Sequence, residues 1–236
     1  MSGILAIETA TEACSVAVFR DGHYLERHEL TPRNHSQRLF GMLRELLPDG
    51  NLRAHGIAAI AYGSGPGSFT GLRIAASAAQ GLAFASDLPA VSVSTLACQA
   101  QSALRQGLVS ERDTVLSALD ARINEVYYAL YQFEASAAVL RHGPTACAPA
   151  DINLALAGSA LHAVGSGCNF LDQYPASLRE AITGCFPEVL PAARDLVPLA
   201  LEKLARGEVQ SPLEVQPVYV RDEISWKKLS EQGKRS

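Results

Sequence analysis

Four glycines and a proline lie within the stretch YGSGPGSFTGLR, residues 62–73, between two apolar runs. Glycine lets a backbone turn tightly or approach another group closely, so the stretch could hold a phosphate or pack against a second backbone. The first lysine of the chain is Lys203. Because a Walker-type phosphate loop needs a lysine directly after its last glycine, the sequence excludes that class of site.

The same stretch resembles a dinucleotide-binding fingerprint, because it follows a predicted strand and precedes a predicted helix. The third glycine of the fingerprint is missing, however: aligned from Gly63 its position holds Ser68, and aligned from Gly65 it holds Thr70. The fingerprint also requires an acid at the end of the next strand, whereas Asp87 precedes that strand. No serine stands in a G-x-S-x-G pattern, and the six histidines include no pair spaced i, i+4 as in H-E-x-x-H. The sequence therefore predicts no metal site and no catalytic residue of these classes.

The composition is that of a compact globular protein, with 48% hydrophobic and 19% charged residues among 236. A net charge of −4 gives the chain as a whole no reason to bind nucleic acid or an anionic membrane by itself. The start MSGILAIETA lacks a basic region and reaches an acid at Glu8, unlike a signal peptide. Since five scattered cysteines form no C-x-x-C pair, we expect a cytoplasmic chain with reduced thiols.

Hydrophobic periodicity predicts three strands followed by alternating helices and strands. The first helix carries an apolar stripe from Leu39 to Leu46, and Asn34 with Gln37 resembles a capping box at its start. The predicted strands are residues 3–8, 14–19, 23–30, 57–62 and 90–94, and the predicted helices are about 35–47, about 70–85 and one from about 95.

Two hairpins repeat along the chain. The segment 6–19 aligns without a gap with 118–131, at an offset of 112 residues. In both segments an acid, Glu8 or Asp120, follows an apolar strand, and a short polar link leads to a second apolar strand. Since the match is one of pattern, chance similarity of two hairpins stays open beside the duplication that we predict.

The duplication predicts an α/β fold of two lobes, 1–105 and 106–236, each opening with a strand meander. The second lobe is smaller and less regular. It contains a predicted amphipathic helix at 193–207 and a last strand at EVQPVYVR, residues 214–221. The polar sequence from about residue 222 is predicted to be a frayed tail.

The helix after the glycine loop, LRIAASAAQGLAFAS, carries small side chains on two adjacent faces. Small residues let a second backbone approach closely. One interpretation is an inner helix packed on its own sheet, and another is a helix that meets a partner across an interface. Both can hold together, because a helix has more than one face.

Three strings carry a resemblance to a known family: ILAIETATEACSVAVF, NHSQRL and above all GSGPGSFTGLRIAASAAQGLA. They resemble the bacterial TsaB (YeaZ) family, closely over the N-terminal half and in outline over the remainder. The resemblance implies the fold of actin, Hsp70 and the sugar kinases (the ASKHA fold), with two lobes of a meander plus α/β layers. This agrees with the repeated hairpin.

The resemblance also implies where a nucleotide would lie, because the first hairpin turn faces nucleotide phosphates in that superfamily. The candidate nucleotide-facing residues are Glu8, Thr9, Thr11, Glu12, Gly65, Gly67, Gly165 and Gly167. Active members generally carry aspartate where this chain has Glu8. The catalytic paralogue TsaD carries an H-x-x-x-H metal pair that would fall near Thr95 and Gln99, and neither is a histidine. The chain therefore resembles a non-catalytic paralogue without a metal site.

For partners, the resemblance implies dimerisation through the helices at about 35–47 and 70–85, with TsaD or with a second copy. With TsaD and the ATPase TsaE, such a scaffold permits threonylcarbamoyl transfer to adenosine 37 of tRNAs reading codons that begin with A. We expect tRNA contact only through that complex, no cofactor on the chain alone, and ATP or ADP only at the interface of the complex. The predicted interface residues are Arg38, Leu39, Met42, Gly71, Leu72, Ala75, Ala79 and Leu82.

Two enzymatic alternatives stay open. An ATP-hydrolysing or phosphotransfer member of the superfamily would hold phosphates with Thr9, Thr11 and the turn from Gly165 to Gly167. A metal-dependent glycoprotease would need a metal or an activated nucleophile, and the sequence supplies neither constellation.

Overall fold

The computed structural model describes residues 3–155 and 160–220. Ten strands and five α-helices form its framework within these residues. The strands are β1 (Gly3–Glu8), β2 (Ala13–Arg20), β3 (His23–Leu30), β4 (Ile57–Gly65), β5 (Ala90–Ser94), β6 (Thr114–Arg122), β7 (Glu125–Glu134), β8 (Ala137–Cys147), β9 (Leu161–Val164) and β10 (Ile182–Phe186). The helices are α1 (His35–Leu46), α2 (Phe69–Ser86), α3 (Thr95–Arg105), α4 (Ala176–Ala181) and α5 (Ala193–Ala205), and 3-10 helices span Pro149–Asp151, Ser166–Gln173 and Pro212–Glu214.

The first sheet has the order β3-β2-β1-β4-β5, with antiparallel pairing in the meander and parallel pairing of β1 with β4 and of β4 with β5. The predicted meander, α1 and α2 are therefore confirmed. The apolar stripe of α1 packs on this sheet, as its period requires. The predicted capping box is wrong, because the Asn34 side chain makes no capping hydrogen bond.

The second sheet repeats this order as β8-β7-β6-β9-β10. β6 pairs antiparallel with β7 and parallel with β9, just as β1 pairs with β2 and β4. The repeated hairpin at an offset of 112 residues is thus a repeat of topology, and the predicted two-lobe α/β fold is confirmed.

Two helices join the sheets, because each packs on the sheet of the other half. α3 follows the first sheet but packs on β6, β7 and β8, whereas α5 from the second half packs on β1, β2, β4 and β5. Asp195 of α5 is buried and accepts hydrogen bonds from the Ser102 hydroxyl at 2.6 Å and from the Arg105 guanidinium at 2.7 and 2.9 Å. The predicted boundary after residue 105 lies between the sheets, but one hydrophobic cluster draws on both.

The predicted last strand at 214–221 is wrong over its described residues. After the 3-10 turn that ends at Glu214, residues 215–220 run without a ladder. This segment makes single hydrogen bonds across the first half, in which Val218 N donates to Ser64 O at 2.8 Å and the Tyr62 hydroxyl donates to Gln216 O at 3.1 Å. The predicted polar tail lies outside the described residues. Within 3–155 and 160–220, no helix is long and apolar enough to cross a membrane.

Candidate functional site

The first hairpin turn, residues 9–12, and the glycine loop, residues 63–71, pack tightly against each other. A Cβ on Gly67 would lie 2.6 Å from Ala10 O, and a Cβ on Gly71 would collide with the Thr9 carbonyl. Two hydrogen bonds join the segments: Ser68 N donates to Ala10 O at 2.7 Å, and the Thr9 hydroxyl donates to Gly71 O at 2.7 Å. The group that the glycine loop approaches is therefore a second backbone of the same chain.

Glu8 ends β1 with no exposed surface. Its carboxylate accepts a hydrogen bond from Ala10 N at 2.6 Å and another from the Thr95 hydroxyl at 3.3 Å. A Cβ on Gly63 of β4 would collide with this carboxylate, so the glycine provides its space. Burial raises the pKa of Glu8 to about 7, although these hydrogen bonds act in the opposite direction.

The other candidate nucleotide-facing residues are placed as follows. Thr11 is half-buried and accepts a hydrogen bond from Ala13 N at 3.4 Å, whereas Glu12 is exposed. Gly65 has φ +122°, and a Cβ there would lie 2.7 Å from a backbone oxygen of Val218.

The glycine turn of the second half packs in the same way against its own chain. A Cβ on Gly165 would collide with the amide of Gln99 and lie 2.5 Å from Ala118 O. A Cβ on Gly167 would lie 2.5 Å from the Ala118 Cβ. Thr95 and Gln99 are separated by one turn of α3, so this helix contacts Glu8 with one residue and the second glycine turn with the other.

Thr95 and Gln99, the two α3 residues at the positions of the expected metal pair, both have partners within the protein. Thr95 and Gln99 are fully buried. The Gln99 amide donates to Val189 O at 2.8 Å, and its oxygen accepts from the Ser117 hydroxyl at 2.7 Å. In the described part of the chain, no three side chains of His, Cys, Asp or Glu cluster as metal ligands. At Glu8 two effects oppose each other: burial favours the protonated carboxyl group, and the hydrogen bonds from Ala10 N and the Thr95 hydroxyl favour the carboxylate.

The predicted interface residues lie mostly inside the first half. Five of them are at most 2% exposed and belong to its core, namely Leu39, Met42, Leu72, Ala75 and Ala79. Gly71 packs on Thr9, Leu82 is half-buried, and Arg38 forms ion pairs with Glu29 and Glu45. The side chains of these five residues are already covered within the first half, and the predicted interface on the two helices stays a prediction. Apolar periodicity marked the face of each helix that packs on its own sheet.

The outer faces of the same two helices form a groove of about 470 Å³, which we call the α1–α2 face. It is lined by Ser36, Phe40, Phe69, Thr70, Arg73, Ile74, Ser77 and Ala78. Phe40 is 50% exposed and Phe69 55%. The guanidinium of Arg73 lies 3.8 Å from the centre of the Phe69 ring, a cation–π contact. Aromatic rings exposed around a groove are typical of a protein interaction surface.

Comparison with known proteins agrees with this fold over nearly the whole chain. The tRNA threonylcarbamoyladenosine biosynthesis protein TsaB of Escherichia coli K12 is 39% identical over 96% of this chain and 97% of its own. The TsaB protein of Haemophilus influenzae is 35% identical, with 96% of each chain covered. This chain belongs to the TsaB family. YeaZ from Pseudomonas aeruginosa, a solved structure, is 38% identical with a TM-score of 0.84, over 93% of this chain and 100% of its own. The family model described as TsaD, tRNA N6-adenosine threonylcarbamoyltransferase, matches residues 28–209.

Two residues that pack against Glu8 and the glycine loop could not be predicted from the sequence of this TsaB-family chain. Gly63 makes room for the buried carboxylate, and Val218 brings a carbonyl to the glycine loop. Neither contact has a local sequence signal, because the contacting residues are distant along the chain. Phe40 and Phe69 did carry a signal, since each is a large aromatic residue outside the buried stripe of its helix.

Proposed function

We propose that this chain is a non-catalytic scaffold in threonylcarbamoyladenosine biosynthesis on tRNA, acting by dimerising with TsaD and recruiting TsaE. The observation that carries the proposal is the mutual filling of the first hairpin turn and the glycine loop. A Cβ on Gly65, Gly67 or Gly71 would meet the chain's own backbone. Glu8 and Thr95 are hydrogen-bonded to each other in the buried interior, which supports a non-catalytic role. The names of the curated relatives support the pathway.

Partner binding is proposed for the α1–α2 face. Its half-exposed Phe40 and Phe69 offer apolar surface that a partner helix could bury, worth about 25 cal/mol per Å² removed from water. In the complex the occupant is TsaD, and for the chain alone it is a second copy. A bound partner can stabilise the active arrangement of TsaD without touching the substrate, provided that it binds that arrangement more tightly.

Nucleotide and tRNA are proposed to reach this chain only through the complex. A net charge of −4 supports indirect tRNA contact, and the filled glycine loops support the absence of a nucleotide on the isolated chain. ATP or ADP is proposed only at the interface of the complex, and a role on tRNA implies a cytoplasmic chain. Titration of the isolated protein with ATP and magnesium checks this: we expect no binding below millimolar concentrations. Sub-millimolar affinity would favour the phosphotransfer alternative, and stoichiometric zinc or iron in the purified protein the glycoprotease.

The deciding experiment is reconstituted modification of tRNA. Purified TsaD and TsaE receive threonylcarbamoyl-adenylate and tRNA, with and without this chain. We expect modification only when the chain is present, and none from the chain without TsaD. Equal modification with and without it would refute a required scaffold, and modification by the chain alone would show that it is catalytic.

A matched pair of variants tests the docking face. Ser77→Arg places a long charged side chain in the α1–α2 groove, whereas Ser177→Arg makes the same change on α4 in the second half, and both serines are exposed. We expect Ser77→Arg to weaken TsaD binding and self-association by about tenfold or more. Ser177→Arg should change neither. Normal binding by a folded Ser77→Arg protein would show that the partner docks elsewhere.

A further inference from the structure

Three of the five cysteines gather in the core of the second half. Cys168 belongs to that core and is 6% exposed, while Cys147 and Cys185 are half-buried against it. Tyr174 lies among them, with its hydroxyl donating to Gly167 O at 2.8 Å. None of the steps proposed above uses these thiols.

A backbone hydrogen bond joins the turn before the 3-10 helix of Cys168 to the strand that carries Cys185. Cys185 lies on β10, the edge strand of the second sheet, opposite Ala163 of β9. Gly165 N donates to Phe186 O at 2.9 Å, and Cys168 N donates to Gly165 O at 2.9 Å. Gly165, which directly precedes the 3-10 helix, is therefore hydrogen-bonded to the last residue of β10. The Cys168 side chain is in hydrogen-bonding contact with that of Cys185 and with the backbone of Phe186.

We propose that Cys168 and Cys185 are a site of reversible oxidation that forms an intramolecular disulfide, with a peroxide as the oxidant. Two thiols already in hydrogen-bonding contact need little movement to bond, which gives the second step the advantage of proximity. Neither thiol is disulfide-bonded in this structure, which is the reduced form of the pair.

The reaction begins at Cys185. This sulfur is the more accessible of the two, and burial raises the pKa of Cys168, so Cys168 is a poor source of thiolate. The Cys185 sulfur attacks one peroxide oxygen, which gives a sulfenic acid and releases the first water. The Cys168 sulfur then attacks the Cys185 sulfur, and the displaced hydroxide takes the Cys168 proton and leaves as the second water. Two thiols are oxidised and one peroxide is reduced.

The bond would fix the 3-10 helix Ser166–Gln173 to β10. This helix directly follows the turn at Gly165, where a Cβ would collide with Gln99 of α3. Because α3 belongs to the first half and packs on the second sheet, oxidation would act on the segment where the halves meet.

Thiol counting on the full chain tests the proposal. The protein is treated with hydrogen peroxide, and catalase stops the reaction. The protein is then unfolded and alkylated, and its intact mass is measured by mass spectrometry before and after alkylation. We expect the wild-type protein to lose two of its five alkylatable thiols and about 2 Da of mass before alkylation, with both restored by dithiothreitol. Cys185→Ser should keep all four remaining thiols, whereas Cys168→Ala should form no disulfide and lose only the Cys185 thiol, which stops at the sulfenic acid.

Cys147→Ser is the matched control, because it removes the third thiol of the cluster and should still lose two on oxidation. A gain of about 16 or 32 Da at Cys185 with Cys168 still free would overturn the proposal. So would a disulfide that needs Cys147, or one that joins two copies of the chain on a non-reducing gel.

Discussion

The two hairpin turns of the repeated fold follow similar strands, each with an acidic residue, but they differ in solvent exposure. In the first, Glu8 is fully buried, and the glycine loop closes over the turn that follows. In the second, the Asp120 carboxylate is 26% exposed and accepts hydrogen bonds from Arg122 N at 2.7 Å and from the Arg122 guanidinium at 3.1 Å. Ile123, at the tip of the second turn, is 80% exposed.

What differs is the segment that follows the central parallel strand of each sheet. After β4 comes a loop whose glycines at 67 and 71 admit the backbone of the first turn. After β9 come glycines at 165 and 167 that pack on Gln99 and Ala118, and the second turn stays open. The corresponding acids of β1 and β6 therefore acquire their environments from distant segments, and the repeat of topology is not a repeat of environment.

The strongest test of this comparison is the close contact at Gly71. We expect Gly71→Ala to lower the free energy of unfolding by about 3 kcal/mol or more, because its Cβ would collide with the Thr9 carbonyl. Gly81→Ala on the same helix is the control. A Cβ at Gly81 meets nothing within 4 Å, so that change should stabilise the protein by about 0.5–1 kcal/mol. Urea unfolding measures both, and equal effects would mean that the first turn is not closed as described.

Replacing Glu8 by glutamine tests its burial through pH. Because the pKa of Glu8 is raised from 4.5 to about 7 in the folded protein, its stabilising effect is complete below pH 4.5 and is lost as pH rises through 7. The loss amounts to roughly 3 kcal/mol. The unfolding free energy of Glu8→Gln minus that of the wild-type protein should therefore increase over this interval. A difference that is constant from pH 4.5 to 8 would show that Glu8 is ionised in the fold.

The fit between Glu8 and Gly63 can be measured as a coupling. Gly63→Ala should destabilise the wild-type protein, because the added methyl group collides with the carboxylate. In a Glu8→Asp background the carboxylate is drawn back by one methylene, so the same change should cost about 1 kcal/mol less. Chemical unfolding of the four proteins gives the coupling free energy. Strictly additive effects would contradict the contact.

The smallest effect is expected in the second turn. Asp120→Ala removes hydrogen bonds at an exposed turn, so it should lower the free energy of unfolding by less than about 1 kcal/mol. Thermal unfolding checks this, with Asp120→Asn as the control that can still accept the bond from Arg122 N. A loss as large as that of Gly71→Ala would remove the contrast between the two turns.

Much of the fold could be predicted from sequence because it depends on local periodicity. The meander, α1, α2 and the repeated hairpin follow from spacings of two and three to four residues. The strand predicted at 214–221 failed because strand-like residues without an adjacent strand edge form no ladder. Which face of α2 meets a partner could not be predicted for a related reason: small residues such as Ala75 and Ala79 show that a face is covered but not what covers it.

The sequence by itself determined the order of elements in the first half and the exclusion of a lysine-dependent phosphate loop, and it indicated the duplication. Only the tertiary structure decided that the first turn and the glycine loop fill each other, that Glu8 is buried, and that the accessible surface of α1 and α2 is their aromatic outer face. The physical reason is distance along the chain. A glycine reveals that something must come close, but the residue that does so at Gly71 is Thr9, which lies 62 positions away.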